Sequence, residues 1–229
     1  MGGAGTDVLA AATGNELIIG GIGNDTLTTG SGTDIIAFNK GDGQDVVNAA
    51  SGQNNTISLG GNFAYSDLAL QKNGNDLVLD VGTTSTSSGQ ASDSITFKNW
   101  YAGAQNIVDL QVIASSMSDF APGSTNVLSN SNVENFDFQS LVSAFDQAQA
   151  ANPTLTAWGI TDSLLSAHLA SSDTAALGGD LAYAYGTSGN LTGFGVSAAE
   201  STLSSSQFAT APQTLNPWPT LNTGTAQIK

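Results

Sequence analysis

A nine-residue period at the N-terminus constrains this chain more than any other feature. Cut every nine residues from Gly2, the sequence reads GGAGTDVLA (2–10), AATGNELII (11–19), GGIGNDTLT (20–28) and TGSGTDIIA (29–37). An acidic residue recurs at Asp7, Glu16, Asp25 and Asp34. Glycine stands two places before it at Gly5, Gly14, Gly23 and Gly32, and a large apolar residue two places after it at Leu9, Ile18, Leu27 and Ile36. A fifth, shifted copy, GDGQDVV (41–47), keeps Gly43 and Asp45 in the same Gly-x-Asp spacing. So short a unit buries its apolar face only by stacking on its neighbours, which limits the chain to a solenoid.

Each column has a physical reading. Glycines mark positions where the backbone turns tightly or takes positive φ, and three-residue segments such as Val8-Leu9-Ala10 read as short strands with the middle side chain inward. Each repeat is then a turn plus a strand, and two repeats close one coil of eighteen residues. Asp7 and Asp25 stack on one side, Glu16 and Asp34 on the other. Stacked like charges repel unless a cation lies between them. A divalent ion held by carboxylates and turn carbonyls suits Ca2+, which takes six to eight oxygens in flexible geometry, better than Mg2+, which keeps its waters in a tight octahedron. The candidate ligands are the carboxylates of Asp7, Glu16, Asp25, Asp34 and Asp45 together with the turn residues Gly2, Ala4, Gly20, Gly21, Ile22, Gly23, Ser31, Gly32 and Gly43.

The repeat resembles that of the repeats-in-toxin (RTX) family, G-G-x-G-x-D-x-U-x, the Ca2+-binding unit of a parallel β-roll. Residues 20–28 match it at every position, as do residues 2–10. Ala11-Ala12 and Thr29-Gly30 weaken the double glycine, and Glu16 replaces the aspartate with a longer arm, so the Glu16 row is expected to bind more weakly. Met1 stands directly before a repeat, which suggests a longer array upstream.

Composition narrows the function. Four Lys and no Arg against nineteen Asp and Glu give a formal charge of −15 over 229 residues. Lys40, Lys72, Lys98 and Lys229 are scattered singly, which excludes a nucleic-acid reader. The absence of Cys removes disulfides, thiol nucleophiles and thiolate metal sites, and one His cannot build a two-His centre. No apolar run is long enough for a transmembrane helix, and residues 1–10 show no basic region followed by a hydrophobic stretch, so a cleavable secretory signal is not expected among them.

The expected architecture is mainly β: a calcium-binding parallel β-roll over 1–47, a β-rich capping region over 48–114, a linker over 115–131 and a small helical module over 132–229. Segments 54–59, 68–71, 77–81, 94–97 and 107–113 read as strands, with a hairpin turn at Asn73-Gly74-Asn75-Asp76. Segments 76–79 and 93–101 resemble the haemolysin-type domain that follows RTX repeats, and Trp100-Tyr101 suit the sealing of an open solenoid end. Phe138, Leu141, Val142 and Phe145 predict one helix ending before Asn152-Pro153. A second is expected through Leu164, Leu165, His168 and Leu169, and a third is capped by Asp173 and runs through Leu177, Leu181 and Tyr185 to Gly186. A capping box at Ser197–Glu200 opens a fourth.

Catalysis is not expected. His168 with Asp162, Asp173 or Asp180 lacks a nucleophile elbow, and the Gly-rich turns carry Asp where a phosphate loop needs Lys. Residues 181–229 contain only two charged side chains, Glu200 and Lys229. The RTX resemblance implies an uncleaved C-terminal signal there, read by a type I secretion apparatus. It also implies a secreted module that folds on extracellular Ca2+. The alternative is a calcium-dependent structural or adhesive surface protein, self-assembling or meeting a cell-surface partner.

Overall fold

The computed structural model describes residues 1–49, 54–82 and 93–216. The repeats yield very short strands. These are β1 (Gly3–Ala4), β2 (Val8–Ala10), β3 (Leu17–Ile19), β4 (Gly21–Ile22) and β5 (Thr26–Thr28), followed by the longer β6 (Ile35–Asn39), β7 (Gln44–Asn48) and β8 (Asn55–Gly60). A hairpin of β9 (Leu68–Asn73) and β10 (Asp76–Val81) follows, then β11 (Ser94–Phe97), β12 (Ile107–Val112) and β13 (Val133–Asp137). The remainder comprises α1 (Phe138–Ala151), β14 (Trp158–Gly159), α2 (Thr161–Ala167), β15 (His168–Ser172), β16 (Ala175–Ala176), α3 (Gly179–Ser188), α4 (Val196–Leu203) and β17 (Gln213–Thr214).

Two large sheets face each other. One has the order β14-β9-β10-β11-β7-β5-β2, the other β15-β13-β12-β8-β6-β3. Successive repeat strands alternate between them, so the chain coils: β2, β5, β7 and β11 pair in parallel in the first sheet, and β3, β6, β8 and β12 in the second. Register follows the apolar column, aligning Leu9, Leu27, Val47 and Phe97 in one row. Ile18, Ile36, Ile57 and Leu110 align in the other. Nearly all of these side chains are buried in one core, because a strand with its middle residue inward has nowhere else to place it.

The expectation of a parallel β-roll over 1–47 with a separate capping β region holds only in part: the two large sheets run on through both regions and are mixed rather than a clear parallel roll. Where the nine-residue period ends, the Gly74-Asn75 turn joins β9 to β10 directly, and a two-residue connection permits only antiparallel pairing. β13 likewise adds antiparallel to β12, and β15 antiparallel to β13. The stretch read as helical, 132–229, therefore contributes strands to the second sheet as well as helices.

Helix boundaries also differ from expectation. The second helix stops at Ala167, and His168 and Leu169 lie in β15, because pairing with β13 overrides their helical spacing. α3 begins only at Gly179, after an N-cap at Gly178, and closes at Gly189. α4 starts at Val196 with Gly195 as N-cap, which leaves Ser197 inside the helix and the capping box unused. α1 begins where Asp137 caps it by accepting the Ser140 N–H, and its Phe138, Leu141, Val142 and Phe145 face the core. Trp100 is fully buried against Phe97 and Phe138, with ring centroids 5.9 and 5.6 Å away. Tyr101 lies outside it, donating to Asp146 at 2.8 Å. The end of the low-charge tail, from Trp218 onward with Pro217 before it, lies outside the described residues.

Candidate metal centre

Stacking of the coils sets each acidic side chain under the backbone of the coil before. Asp25 Oδ1 accepts the Asp7 N–H at 2.7 Å, and Asp45 Oδ1 accepts the Asp25 N–H at 2.9 Å. On the other side Asp34 Oδ1 accepts the Glu16 N–H at 2.9 Å, and Asn55 Oδ1 accepts the Asp34 N–H at 2.8 Å. The separations are 18 residues within the repeats, then 20 and 21 as the coils lengthen. One oxygen each of Asp25, Asp34 and Asp45 is thus spent on register.

The other oxygens are the informative ones. Asp7 Oδ2, Asp25 Oδ2 and Glu16 Oε2 are shielded from water and have no hydrogen-bond partner. Asp25 is 1% exposed, Asp34 0% and Asp45 2%. A buried carboxylate without partner or cation is strongly disfavoured, so these atoms call for a positive ligand. Space is reserved beside them. A Cβ on Gly20 would clash with Asp25 Oδ2 and lie 3.0 Å from Asp45 Oδ2; one on Gly2 would lie 2.5 Å from Asp7 Oδ2 and 2.6 Å from the Gly20 carbonyl.

Carbonyls complete the surroundings. Ala4 pairs with Ile22 and Gly3 with Gly21, while the Gly20 and Ile22 carbonyls accept from Gly3 and Gly5 at 2.9 and 2.7 Å. Each keeps a second lone pair. Gly23 sits at φ +147° directly over the Gly5 carbonyl, where any Cβ would collide. The Gly23 N–H donates to the Asp42 carbonyl at 2.7 Å. In the second row Ser31 bridges Thr13, its carbonyl accepting from Gly14 at 2.8 Å, and Gly32 lies over Gly14. Gly43 donates to Asp93 Oδ1 at 3.1 Å and accepts from Ser94. Among the described residues no three His, Cys, Asp or Glu side chains converge on one point. An ion here meets at most two carboxylates and finishes its shell with carbonyls, a donor set that fits Ca2+.

Electrostatics agree with this. Burial pushes Asp45 up to about 7, helped by repulsion from Asp25 and Asp42 and opposed by the Asp25 N–H. Burial also lifts Glu16 to about 7, and a hydrogen bond to Asp34 and repulsion from it add to the shift. Asp34 Oδ2 takes the Gly30 N–H at 3.0 Å.

Sequence reading overlooked three participants. Asp42 takes the turn position held by Ala4 and Ile22 in earlier coils, yet is 4% exposed and pushed up to about 6 by burial. Asn55 replaces the acidic column, and Asp93 reaches the array from beyond the β9–β10 hairpin. The run Gly41-Asp42-Gly43-Gln44-Asp45 was the available signal for Asp42; Asn55 and Asp93 carried none.

His168 lies far from Asp162, Asp173 and Asp180 in role. Its Nε2 is 2.8 Å from Glu134 Oε2 and 3.1 Å from Ser171 Oγ, and Ser171 donates to the same carboxylate oxygen at 2.6 Å. A triad base uses its two ring nitrogens separately. Here one nitrogen meets both partners and the serine proton points at the acid, an arrangement that clasps β13 to β15.

No curated protein matches the chain. Residues 1–36 match the family model of the RTX calcium-binding nonapeptide repeat (4 copies), a span that holds Asp7, Glu16, Asp25 and Asp34 and stops short of Asp45 and Asn55. The N-terminal region of this protein is therefore an RTX calcium-binding repeat array, and the ion its coils bind is Ca2+.

Proposed function

We propose that the chain is a calcium-triggered folding module of an exported RTX protein, its repeats forming a β-roll around bound Ca2+. The observation that carries this reading is the set of buried, unpartnered oxygens on Asp7, Glu16 and Asp25. Without an ion the carboxylates of Asp7, Glu16, Asp25, Asp34, Asp42 and Asp45 repel one another where the coils must approach, in a chain whose overall formal charge is −15, so a low-Ca2+ cytosol favours the unfolded chain. Outside the cell Ca2+ binds, and its binding free energy becomes folding free energy. Such a chain stays transportable until it leaves, which suits export by a type I secretion apparatus. No described helix is long and apolar enough to cross a membrane. The test is far-UV circular dichroism during Ca2+ titration from chelated buffer, beside Mg2+. A cooperative, Ca2+-selective gain of β signal is expected; a spectrum already β-rich in chelator would overturn the reading.

A second reading, calcium-dependent self-assembly, is favoured by the exposed first coil. β2 is an edge strand of its sheet, and its Val8 is 78% exposed, with Ile22 at 64% nearby. Unpaired edges with outward apolar side chains pair between copies. Light scattering with and without Ca2+ separates the two: ordered assembly supports this second reading, and a persistent monomer opposes it.

A further inference from the structure

We infer that Tyr185 is a positioning residue for the ion-binding turns, through which the C-terminal helix α3 and Ca2+ loading of the second and third coils are coupled. The inference rests on the calcium reading above and adds the part of the chain that regulates it.

The contact is specific. Tyr185 Oη donates to Asp42 Oδ2 at 2.8 Å, and the same oxygen accepts the Asn39 N–H at 2.7 Å. Asn39 Nδ2 returns a bond to the Tyr185 carbonyl at 2.7 Å, and the Gly61 N–H donates to the Gly186 carbonyl at 2.9 Å. Tyr185 and Gly186 of α3 thus grip the turn at residues 39–42 and the C-terminal ends of β6 and β8. Approach is close enough that a Cβ on Gly60 would clash with Gly186, and one on Gly186 would clash with Ile113. Tyr185 is itself fully buried.

What α3 grips is the third ion-side turn. Asp42 shares it with Gly43 and Asp45, and its carbonyl holds the Gly23 N–H of the second coil at 2.7 Å. In the first two coils the corresponding position carries Ala4 and Ile22, both exposed. At this position the third turn carries a carboxylate in place of Ala4 and Ile22, and α3 covers it through Tyr185. Asp25, Asp42 and Asp45 are each at most 4% exposed, so the turn holds mutual repulsion that a cation between Asp25 and Asp45 relieves. A seated Tyr185 fixes the position of Asp42, whose Oδ2 it shares with the Asn39 N–H, and with it the turn that carries Gly43 and Asp45. Two events that each stabilise the same turn conformation favour one another, and by linkage the effect is reciprocal.

The test is hydrogen exchange of the full chain in chelator and in Ca2+, with Tyr185→Phe beside it. In the native protein Ca2+ is expected to slow exchange in residues 179–188 as well as in the coils. Tyr185→Phe should raise the Ca2+ midpoint about fivefold or more and uncouple α3 exchange from Ca2+. Should that variant fail to fold, Asp42→Ala removes the same bond from the other side. Coils that respond to Ca2+ while α3 exchanges identically in both conditions would overturn the coupling and leave the calcium reading standing. Coils that do not respond at all would overturn the calcium reading.

Discussion

Asp25 Oδ1 holds the Asp7 N–H at 2.7 Å across one coil, while its Oδ2 is buried without a partner. One side chain therefore sets the register of two strands and offers an oxygen to an ion. These duties separate by substitution. Asp25→Asn keeps an acceptor for the Asp7 N–H and removes the charge, so the Ca2+ midpoint should rise about tenfold or more, as loss of a charged ligand in a calcium site implies. Asp25→Ala removes both, and should lose about 1 kcal/mol more in Ca2+-saturated buffer, the worth of one backbone cap. Equal Ca2+ midpoints for Asp25→Asn and the native chain, by circular dichroism, would count against Asp25 as a ligand.

Gly20→Ala tests the reserved space. Gly20 does not sit in the left-handed region, so alanine meets no backbone strain there; its Cβ meets Asp25 Oδ2 and Asp45 Oδ2 instead. The expected result is a lower Ca2+ stoichiometry by isothermal titration, by about one ion, with the other coils still responding. Unchanged stoichiometry would place the ion elsewhere.

Trp100→Ala addresses the core rather than the ion. The indole is fully buried between Phe97 and Phe138, and its removal leaves a cavity that should cost about 3–5 kcal/mol by denaturant unfolding in saturating Ca2+. The Ca2+ midpoint should shift as well, since the coils and the core fold together.

The coiled half of the fold was legible because one period writes both turn and strand: Gly5, Asp7 and Leu9 each fix one feature, and their copies repeat it. Asp45 remained readable after the coil lengthened, since Gly43-x-Asp45 kept its spacing. Asn55 did not, because the acid that marks the column is gone although the backbone cap survives in Asn55 Oδ1. His168 was misread for a different reason. Its spacing from Leu164 and Leu165 is helical, but Glu134, 34 residues earlier, draws it into a strand. Local periodicity carries no trace of such a partner. Tyr185 likewise lay on a legible apolar helix face, while its hydroxyl partner Asp42 is 143 residues away.

Acidity should separate the ion-free from the loaded protein. In the ion-free chain Glu16 and Asp45 are each lifted to about 7, above the usual carboxylate range they have when unfolded. Between those values the folded state holds protons that the unfolded state has released, so their contribution to stability is full in acid and is lost as pH rises through about 7. The ion-free fold should therefore weaken from about pH 4 to about pH 7 and level off above that. Ca2+ displaces the same protons, so its affinity should rise over that window, with proton uptake by the buffer visible as buffer-dependent binding heat. Asp34 Oδ2 is already engaged by Gly30 and Glu16 shares a hydrogen bond with Asp34; Glu16→Gln should accordingly remove part of the pH dependence while leaving the Asp7–Asp25–Asp45 row to bind. Calcium affinity that stays flat across the window would mean that these carboxylates are not the ones the ion meets.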